Sequence, residues 1–271
     1  MNTEFKAIFS DIDGTLLNTS HQITSKTKEA IKRVHQKGLP FVLVSARPPM
    51  AMDYFVSDLE LNCPFVAFNG GLIVAAKSHE ILYSVKLGEE NFARVCEELT
   101  NFDENRPKIS LSINYFENLN WYSSDPLGYW TSQEEIIVEV KANGKKPKNL
   151  KDAHKILVME RPEVIAELEA EIAPKFPDLT IKKSKTTYLE ITNKQATKSG
   201  AIKFLETYLK FSSQEAMAFG DNFNDLDMLE YCGYGVAMNN APQGVKDKVQ
   251  EITADNNNDG IALVLNRIFN K

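Results

Sequence analysis

Short segments made only of apolar residues, separated by an amphipathic helix, constrain the fold of this chain more than any other feature. Ala7–Phe9, Phe41–Val44 and Phe65–Phe68 contain no polar residue, which is typical of strands covered on both faces. Between the first two, residues 25–37 place their apolar side chains on one helical face, and Gly38 follows as a C-cap residue would. This strand–helix–strand order predicts a parallel sheet with right-handed crossovers.

The same pattern returns near the C-terminus. A helical stripe of apolar residues follows Lys198, Ala216–Phe219 is another apolar strand, and Tyr234–Met238 resembles one more. We therefore expect residues 1–84 and 188–271 to form one α/β domain with a Rossmann-like parallel sheet. In open sheets of this kind, ligands bind beyond the carboxyl ends of the strands.

Residues 85–187 follow a different pattern. Ile109, Leu111 and Ile113 alternate with polar residues, as in a half-exposed antiparallel strand. Pro162 begins an amphipathic helix. Because a block of roughly 100 residues is the size of a domain, we predict an α+β cap domain inserted between the two halves of the parallel-sheet domain.

Composition and charge exclude several classes of protein. The 271 residues carry a net charge of −6, so the overall charge does not favour a nucleic acid as partner. No apolar run approaches the roughly 20 residues that span a bilayer, so we expect no membrane association. Cys63, Cys96 and Cys232 are widely spaced, which indicates free thiols and a cytoplasmic location.

Two aspartates directly follow the first strand, in the segment Asp11-Ile12-Asp13-Gly14-Thr15. Because residues i and i+2 of an extended chain point the same way, Asp11 and Asp13 can face one site. Gly14 lets the backbone adopt a positive φ and approach an oxyanion closely. The arrangement suits phosphoryl transfer, in which one carboxylate attacks and the other moves a proton. Taken alone, the segment is equally compatible with a plain turn, since Asp and Gly both favour turns.

Two further polar residues stand at the ends of predicted elements. Ser45 ends the second strand and can donate a hydrogen bond to an anionic oxygen, or it can cap a helix. Lys198 stands at the start of its helix, where the helix dipole opposes a cation. That position indicates an anion nearby, although a solvated surface lysine is the commoner explanation for any single lysine.

Asp221 and Asp225 follow the strand at residues 216–219, with Asn224 between them. Together with Asp11, these carboxylates would repel one another and raise one another's pKa. A divalent cation would remove that conflict, and Mg²⁺ prefers oxygen ligands of this kind. Asp225 could instead cap the helix that follows it.

The segment Asp255–Gly260 matches the first half of an EF-hand calcium loop. Position twelve of such a loop falls on Asn266, where a bidentate glutamate is needed. We therefore predict a polar turn at this segment in preference to a calcium site.

Four motifs, in their order along the chain, resemble those of the haloacid dehalogenase superfamily of phosphohydrolases. They are Asp11-x-Asp13-Gly14-Thr15, Ser45, Lys198 and Gly220-Asp221-x-x-Asn224-Asp225. The large insertion between the second and third motifs resembles the Cof-type branch of that superfamily, as do residues 235–242 and 253–260. One departure is Ala46, which stands where the family usually has glycine between the hydroxyl residue and Arg47.

The resemblance implies a Mg²⁺-dependent phosphatase that hydrolyses small phosphomonoesters, such as sugar phosphates, through an aspartyl-phosphate. Asp11 would be the nucleophile and Asp13 the acid and base. Ser45 and Lys198 would hold the phosphoryl oxygens.

The resemblance also implies a set of phosphate contacts and metal ligands. The further phosphate contacts would be Ile12, Gly14, Ala46 and Asn224. The metal ligands would be Asp11, the Asp13 carbonyl and Asp221. Asp225 would contact these ligands or reach the metal through a water molecule. Arg47 and Asn69 would contact the substrate or fix loops.

Two other functions stay open at this point. A phosphomutase would return the phosphoryl group to a sugar, and a non-catalytic sugar-phosphate sensor would keep the fold without turnover. A dehalogenase would not need Asp13 as an acid, which argues against that activity. The expected partner is a small phosphorylated metabolite, and the sequence indicates neither its identity nor an oligomeric state.

Overall fold

The computed structural model describes residues 5–269, which divide into two compact units. The first unit consists of residues 5–46, 52–83 and 197–269, and the second of residues 47–51 and 84–196. The ends that we predict for the parallel-sheet domain, residues 1 and 271, lie outside the described residues.

The strands and helices have the following bounds. The strands are β1 (Ala7–Ser10), β2 (Phe41–Leu43), β3 (Phe65–Ala67), β4 (Leu72–Val74), β5 (Ile81–Ser84), β6 (Ser112–Glu117), β7 (Asn120–Ser123), β8 (Lys155–Met159), β9 (Leu179–Lys185), β10 (Tyr188–Asn193), β11 (Ala216–Gly220), β12 (Tyr234–Ala237) and β13 (Glu251–Ile252). The helices are α1 (Ser25–Gln36), α2 (Asp53–Asp58), α3 (Glu89–Glu104), α4 (Tyr129–Val138), α5 (Pro162–Ile172), α6 (Lys198–Leu209), α7 (Leu226–Tyr231), α8 (Gln243–Lys246) and α9 (Gly260–Phe269). Within residues 5–269, no helix has the length and apolar character needed to cross a membrane.

A parallel sheet forms the centre of the first unit, with strand order β13–β12–β11–β1–β2. Phe9 of β1 lies opposite Ala218 of β11 on one side and Val42 of β2 on the other. Every residue of β1 is buried, and burial of both faces accounts for its apolar sequence. The predicted α/β class with a parallel sheet is confirmed.

The third predicted strand also takes part in a second, smaller sheet. A parallel bridge joins Val66 of β3 to Val44, just beyond β2. In addition, β3 pairs antiparallel with β4, and β5 follows β4 in the same sheet. The chain reverses between β3 and β4 at Phe68–Gly70, where all three residues have positive φ. Asn69-Gly70 is a sequence signal for such a turn, but the left-handed conformation of Phe68 is not predicted, because a bulky residue rarely adopts it.

The second unit is built on an antiparallel sheet with strand order β7–β6–β8–β10–β9. Helices α3 and α5 bury one face each, through residues such as Phe92 and Val95 of α3 and Ile165 and Leu168 of α5. These side chains form one apolar core cluster with residues of the sheet. The unit therefore has an α+β arrangement.

Two expected boundaries differ in the structure. The strand that we expect to include Ile109 begins at Ser112, because the Ile109 N–H bonds to the Arg106 carbonyl in a turn. Strand β10 pairs antiparallel with β8 and β9. Residues 188–196 consequently pack with the second unit, whereas the sequence assigns them to the parallel-sheet domain.

His154 of the second unit is fully buried. Its Nδ1 accepts the N–H of Asn118 at 3.1 Å, so Nε2 carries the proton and lies 2.9 Å from Oγ of Ser84. Burial, and to a smaller extent the charge of Lys86, lowers the pKa of His154 to about 3. The folded unit therefore holds this ring uncharged at neutral pH.

We expect the second unit to lose stability as the pH falls below about 6.5, because the unfolded chain then binds a proton on this histidine that the folded chain does not. The loss amounts to at most about 1.4 kcal/mol for each pH unit and continues towards the folded pKa of about 3. Tryptophan fluorescence during urea unfolding measures it, since Trp121 and Trp130 both lie in this unit. His154→Gln should flatten this dependence, and parallel losses in the variant and the wild type would contradict the prediction.

Candidate active site

Asp11 stands at the carboxyl end of β1 and is buried, with 6% of its surface exposed. Its N–H bonds to the carbonyl of Phe219 in β11 at 3.0 Å. Its carbonyl accepts the hydroxyl of Ser10 at 2.8 Å. The backbone of Asp11 is thus held by β11 on one side and by the preceding residue on the other, which fixes where its carboxylate lies.

Lys198 is the first residue of α6 and is buried, with 1% of its surface exposed. Its Nζ donates to Oδ1 of Asp11 at 2.5 Å, to Oδ1 of Asp225 at 2.6 Å and to the carbonyl of Val44 at 3.3 Å. The explanation of Lys198 as a solvated surface lysine is wrong. Burial by itself lowers the pKa of Lys198, but Asp11 and Asp225 together raise it above the usual lysine value, so the side chain stays an ammonium.

A close approach between two loops allows α6 to begin beside the strand ends. Gly70 has a φ of +104°, and a Cβ at this position would lie 1.9 Å from the carbonyl oxygen of Thr197. Thr197 also caps α6, because its hydroxyl accepts the N–H of Gly200 at 3.0 Å. A side chain at position 70 would therefore push away the helix end that carries Lys198.

Asp225 is buried and uses both carboxylate oxygens. Oδ1 accepts from Lys198, and Oδ2 accepts the N–H groups of Asp221 and Asn222, each at 2.9 Å. Its side chain makes no capping bond to α7, so the alternative that it caps this helix is wrong. Instead, Asp225 connects the lysine to the backbone of the loop that carries Asp221.

Asp221 is half-buried and meets the loop that follows β1. Its Oδ1 accepts the hydroxyl of Thr15 at 2.7 Å, and its Oδ2 lies 3.4 Å from Nδ2 of Asn240. Gly14 has a φ of +86°, and a Cβ there would lie 2.4 Å from Oδ2 of Asp221. The glycine expected to admit an oxyanion therefore also admits this carboxylate. Sequence reasoning assigns no role to Thr15 or Asn240, although both lie in segments that carry the family resemblance.

The acidic side chains fit a divalent cation. Asp11, Asp221 and Asp225 each offer one oxygen within 4.8 Å of the others. Burial, followed by the charge of Asp225, raises the pKa of Asp11 well above its usual value, against the opposing effect of Lys198. Burial also raises the pKa of Asp221 to about 6. Three carboxylates facing one ammonium leave excess negative charge, and carboxylate oxygens are ligands that Mg²⁺ prefers.

Asp13 and Ser45 follow the neighbouring strands β1 and β2 in the first unit. Asp13 is exposed, and its charge contributes to the raised pKa of Asp221. Ser45 is buried; its N–H bonds to the Val66 carbonyl at 2.9 Å, and its own carbonyl accepts the N–H of Asn69 at 2.8 Å. Ser45 does not cap α2, whose N-cap residue is Met52.

The remaining residues predicted for the site fall into two groups. Ile12 and Ala46 lie in loops at strand ends of the first unit, and Asn69 and Asn224 lie in short 3-10 turns that directly or closely follow β3 and β11. The carbonyl of Ile12 accepts the N–H groups of the three residues 15–17, which shapes the turn after Asp11. Arg47 belongs to the second unit, with residues 48–51, so the structure does not group it with the others.

Comparisons with known proteins agree on one family. Residues 8–265 match the family described as haloacid dehalogenase-like hydrolase. A Haemophilus influenzae protein named "Putative phosphatase" is 38% identical over 265 residues, which cover 98% of each chain. The crystal structure of a haloacid dehalogenase-like hydrolase from Bacteroides thetaiotaomicron superposes with a TM-score of 0.88 at 26% identity, covering 98% of this chain and 100% of that one. The structure of a HAD subclass IIB sugar phosphatase superposes with a TM-score of 0.79 at 25% identity, covering 97% and 98% respectively.

Proposed function

Since this chain belongs to the haloacid dehalogenase-like hydrolases and is a phosphoric monoester hydrolase, we propose that it hydrolyses small phosphomonoesters through an aspartyl-phosphate, with Mg²⁺ bound. One observation carries the proposal. The carboxylate of Asp11 lies buried at a strand end, 2.5 Å from the ammonium of Lys198 and in the same acidic cluster as Asp221. A nucleophile, a phosphate-binding cation and a metal ligand are thereby within reach of one reacting group.

In the first step, a carboxylate oxygen of Asp11 attacks phosphorus and the bond from phosphorus to the leaving alcohol breaks. Lys198 engages Oδ1, so we assign the attack to Oδ2. Asp13 gives a proton to the departing alcohol oxygen. Asp13 is exposed whereas Asp11 is buried, which supports this division, because an exposed carboxyl can reach both the departing alcohol and an incoming water.

In the second step, Asp13 is a carboxylate and takes a proton from a water molecule. The water oxygen attacks the phosphorus of the aspartyl-phosphate, and the bond between phosphorus and Asp11 breaks. Inorganic phosphate leaves, Asp11 is again a carboxylate, and Asp13 again holds its proton. Proton transfer of this kind contributes about 10²–10⁴-fold to a rate.

The phosphoryl oxygens would be held by groups at the same strand ends. We assign this role to the ammonium of Lys198, the hydroxyl of Ser45, the amide of Asn224 and the backbone N–H groups of residues 12–14 and 46. The bonds of Ser45 to Val66 and Asn69 fix its backbone at the end of β2. Charge stabilisation by such preorganised donors is commonly the largest contribution to phosphoryl transfer.

Asp11, Asp221 and the carbonyl of Asp13 would hold Mg²⁺. The ion would supply positive charge that offsets the carboxylates and stabilises the phosphoryl oxygens in the transition state. Asp225 would support these ligands without binding the ion directly, because its two oxygens already bond to Lys198 and to the loop of Asp221.

We propose that the second unit is a cap domain, made of residues 85–187 and the adjoining β10, and that it selects the leaving group. Sugar phosphates are the class we favour, because the subclass IIB neighbour is a sugar phosphatase. Arg47 belongs to this unit. Asn69 follows β3 and donates its N–H to the carbonyl of Ser45 at 2.8 Å, so it stands at the strand ends where ligands of such sheets bind. Both residues are therefore proposed substrate contacts.

The cysteines support a cytoplasmic location. Cys63, Cys96 and Cys232 are free thiols, and unpaired thiols are typical of a reducing compartment. Burial raises the pKa of Cys63 to about 12 and also raises the pKa of Cys232, so these two are poor nucleophiles.

Release of inorganic phosphate from a panel of phosphomonoesters, in water and with no second sugar as acceptor, tests the proposed function. We expect release that depends on Mg²⁺ and stops with a chelator, with sugar phosphates among the best substrates. In a parallel reaction with a sugar phosphate added as acceptor, transfer without release of phosphate would indicate a phosphomutase. Binding of sugar phosphates without any turnover would indicate a sensor, and either result would overturn the proposal.

A further inference from the structure

We propose that Asn240 is a positioning residue for the cation ligand Asp221, and that the loop Asp255–Gly260 holds Asn240 in the orientation this requires. The inference rests on the proposed function, because it concerns the Mg²⁺ site of that reaction. Asn240 lies beyond β12 and would touch neither substrate nor the reacting atoms. It would act only through Asp221 and Gly14.

The carboxamide of Asn240 connects two loops of the first unit. Its Nδ2 donates to the carbonyl of Gly14 at 2.8 Å and lies 3.4 Å from Oδ2 of Asp221. With the hydroxyl of Thr15 on Oδ1, each oxygen of Asp221 has one donor. Two donors on opposite oxygens fix the plane of a carboxylate, and the remaining lone pairs then have a defined direction.

A second amide contact fixes which way the Asn240 side chain faces. Oδ1 of Asn240 accepts the backbone N–H of Asn256 at 3.3 Å. Because the oxygen is engaged on that side, the NH₂ group must face Gly14 and Asp221. The side chain of Asn256 in turn donates to the carbonyl of Leu17 at 2.7 Å. Asn240 and Asn256 therefore hold the loop after β1 at two places, residues 14 and 17.

The loop Asp255–Gly260 makes further contacts with the same segment. Oδ1 of Asn257 accepts both the N–H and the hydroxyl of Thr19, at 3.0 and 2.9 Å. Asp259 accepts the hydroxyl of Thr24, the residue that caps α1. The loop that resembles half of a calcium site thus uses side chains to bond the segment that follows Asp11 in the chain.

The position of Asp221 matters because a metal ligand that is free to rotate binds its ion more weakly. Removing a partner that orients a ligand costs about 10–100-fold in metal affinity or activity in typical metal sites. Asp221 lies close to the backbone of Gly14, where a Cβ would lie 2.4 Å from Oδ2, so the Asn240 bond to the Gly14 carbonyl is made beside this carboxylate. Loss of Asn240 would leave Thr15 as the single side-chain donor to Asp221 among the described residues.

Calorimetric titration of the full chain with Mg²⁺ alone, without substrate, tests the inference. We expect Asn240→Ala to weaken Mg²⁺ binding by about tenfold or more. The Mg²⁺ concentration that gives half-maximal activity should rise by the same factor, while kcat at saturating Mg²⁺ changes little. Asn239→Ala is the matched control: this neighbouring amide contacts Lys246, and its loss should leave Mg²⁺ affinity unchanged.

Asn257→Ala separates positioning from general stability. It removes contacts to Thr19 but keeps the Asn256 N–H that bonds to Asn240, so it should lower Tm while leaving Mg²⁺ affinity as it is. Equal Mg²⁺ affinity in the wild type and Asn240→Ala would overturn the inference and leave the phosphatase proposal intact. If Asn240→Ala weakens Mg²⁺ binding but the wild type releases no phosphate from any ester, the inference stands and the phosphatase proposal is overturned. A wild type that binds no Mg²⁺ would overturn both.

Discussion

Replacing Asp11 by asparagine is expected to abolish turnover of a generic aryl phosphate, by at least about 10⁴-fold, because the amide cannot form the acyl-phosphate bond. The fold should survive the change. The buried carboxyl of Asp11 has a raised pKa, so removing its charge lowers repulsion towards Asp225, which keeps its own bond to Lys198. Steady-state release of the aryl alcohol measures the effect, and circular dichroism verifies folding.

The matched variant for this prediction is Asp13→Asn, which removes the acid and base but leaves the nucleophile. An aryl alcohol leaves readily without a proton, so the first step should still proceed and the second should stall. We expect one equivalent of aryl alcohol to appear in a burst, and the phosphoryl group to remain on Asp11, visible as added mass in a peptide containing residue 11. Asp11→Asn should show neither. A normal rate in Asp11→Asn, or a phosphoryl group on another residue, would contradict the mechanism.

Replacing Lys198 by methionine is expected to remove activity and to lower the free energy of unfolding by about 3–5 kcal/mol. Lys198 bonds to two carboxylates, of Asp11 and Asp225, and is buried with them. Without the ammonium, both acids stay buried without a compensating charge, which is the most costly way to break an ion pair. Urea unfolding followed by circular dichroism measures the loss.

Two further variants show whether charge is the cause. Lys203→Met changes an exposed lysine on the same helix and should alter stability by less than about 0.5 kcal/mol. Adding Asp225→Asn to Lys198→Met removes one of the stranded carboxylates, so stability should partly return while activity does not. If the double variant recovers no stability relative to Lys198→Met alone, the unpaired charge of Asp225 does not explain the loss.

The parts of the fold that follow from local sequence could be predicted. Apolar runs such as Ala7–Phe9 identify strands covered on both faces, and Gly38 ends the helix between the first two strands, because these signals act over a few residues. At the reversal Phe68–Gly70, Asn69-Gly70 is a local turn signal, but the left-handed conformation of Phe68 could not be predicted in this way. The left-handed residues of this reversal are tolerated only because the surrounding structure holds them. The pairing of β10 could not be predicted either, because alternation identifies a half-buried strand but does not identify the strands beside it.

The same division applies to the candidate site. The spacing of Asp11 and Asp13 and the run from Gly220 to Asp225 are local patterns, so their chemistry could be inferred from the order of residues. The burial of Lys198 could not be inferred from the order of residues. Its bond to Asp11 joins positions 187 residues apart, and a helix start offers no local sign that it will be buried.

By itself, the sequence determined the α/β class, the positions of most strands and the acids that could perform phosphoryl transfer, because periodicity, turn residues and motif spacing are properties of neighbouring positions. Only the tertiary structure decided which charges meet. It brings Lys198 to Asp11 and Asp225, and it places Thr15 and Asn240 against the two oxygens of Asp221. It also bonds the loop Asp255–Gly260 to the segment after β1. Such contacts depend on how distant segments pack, and packing is a property of the whole folded chain.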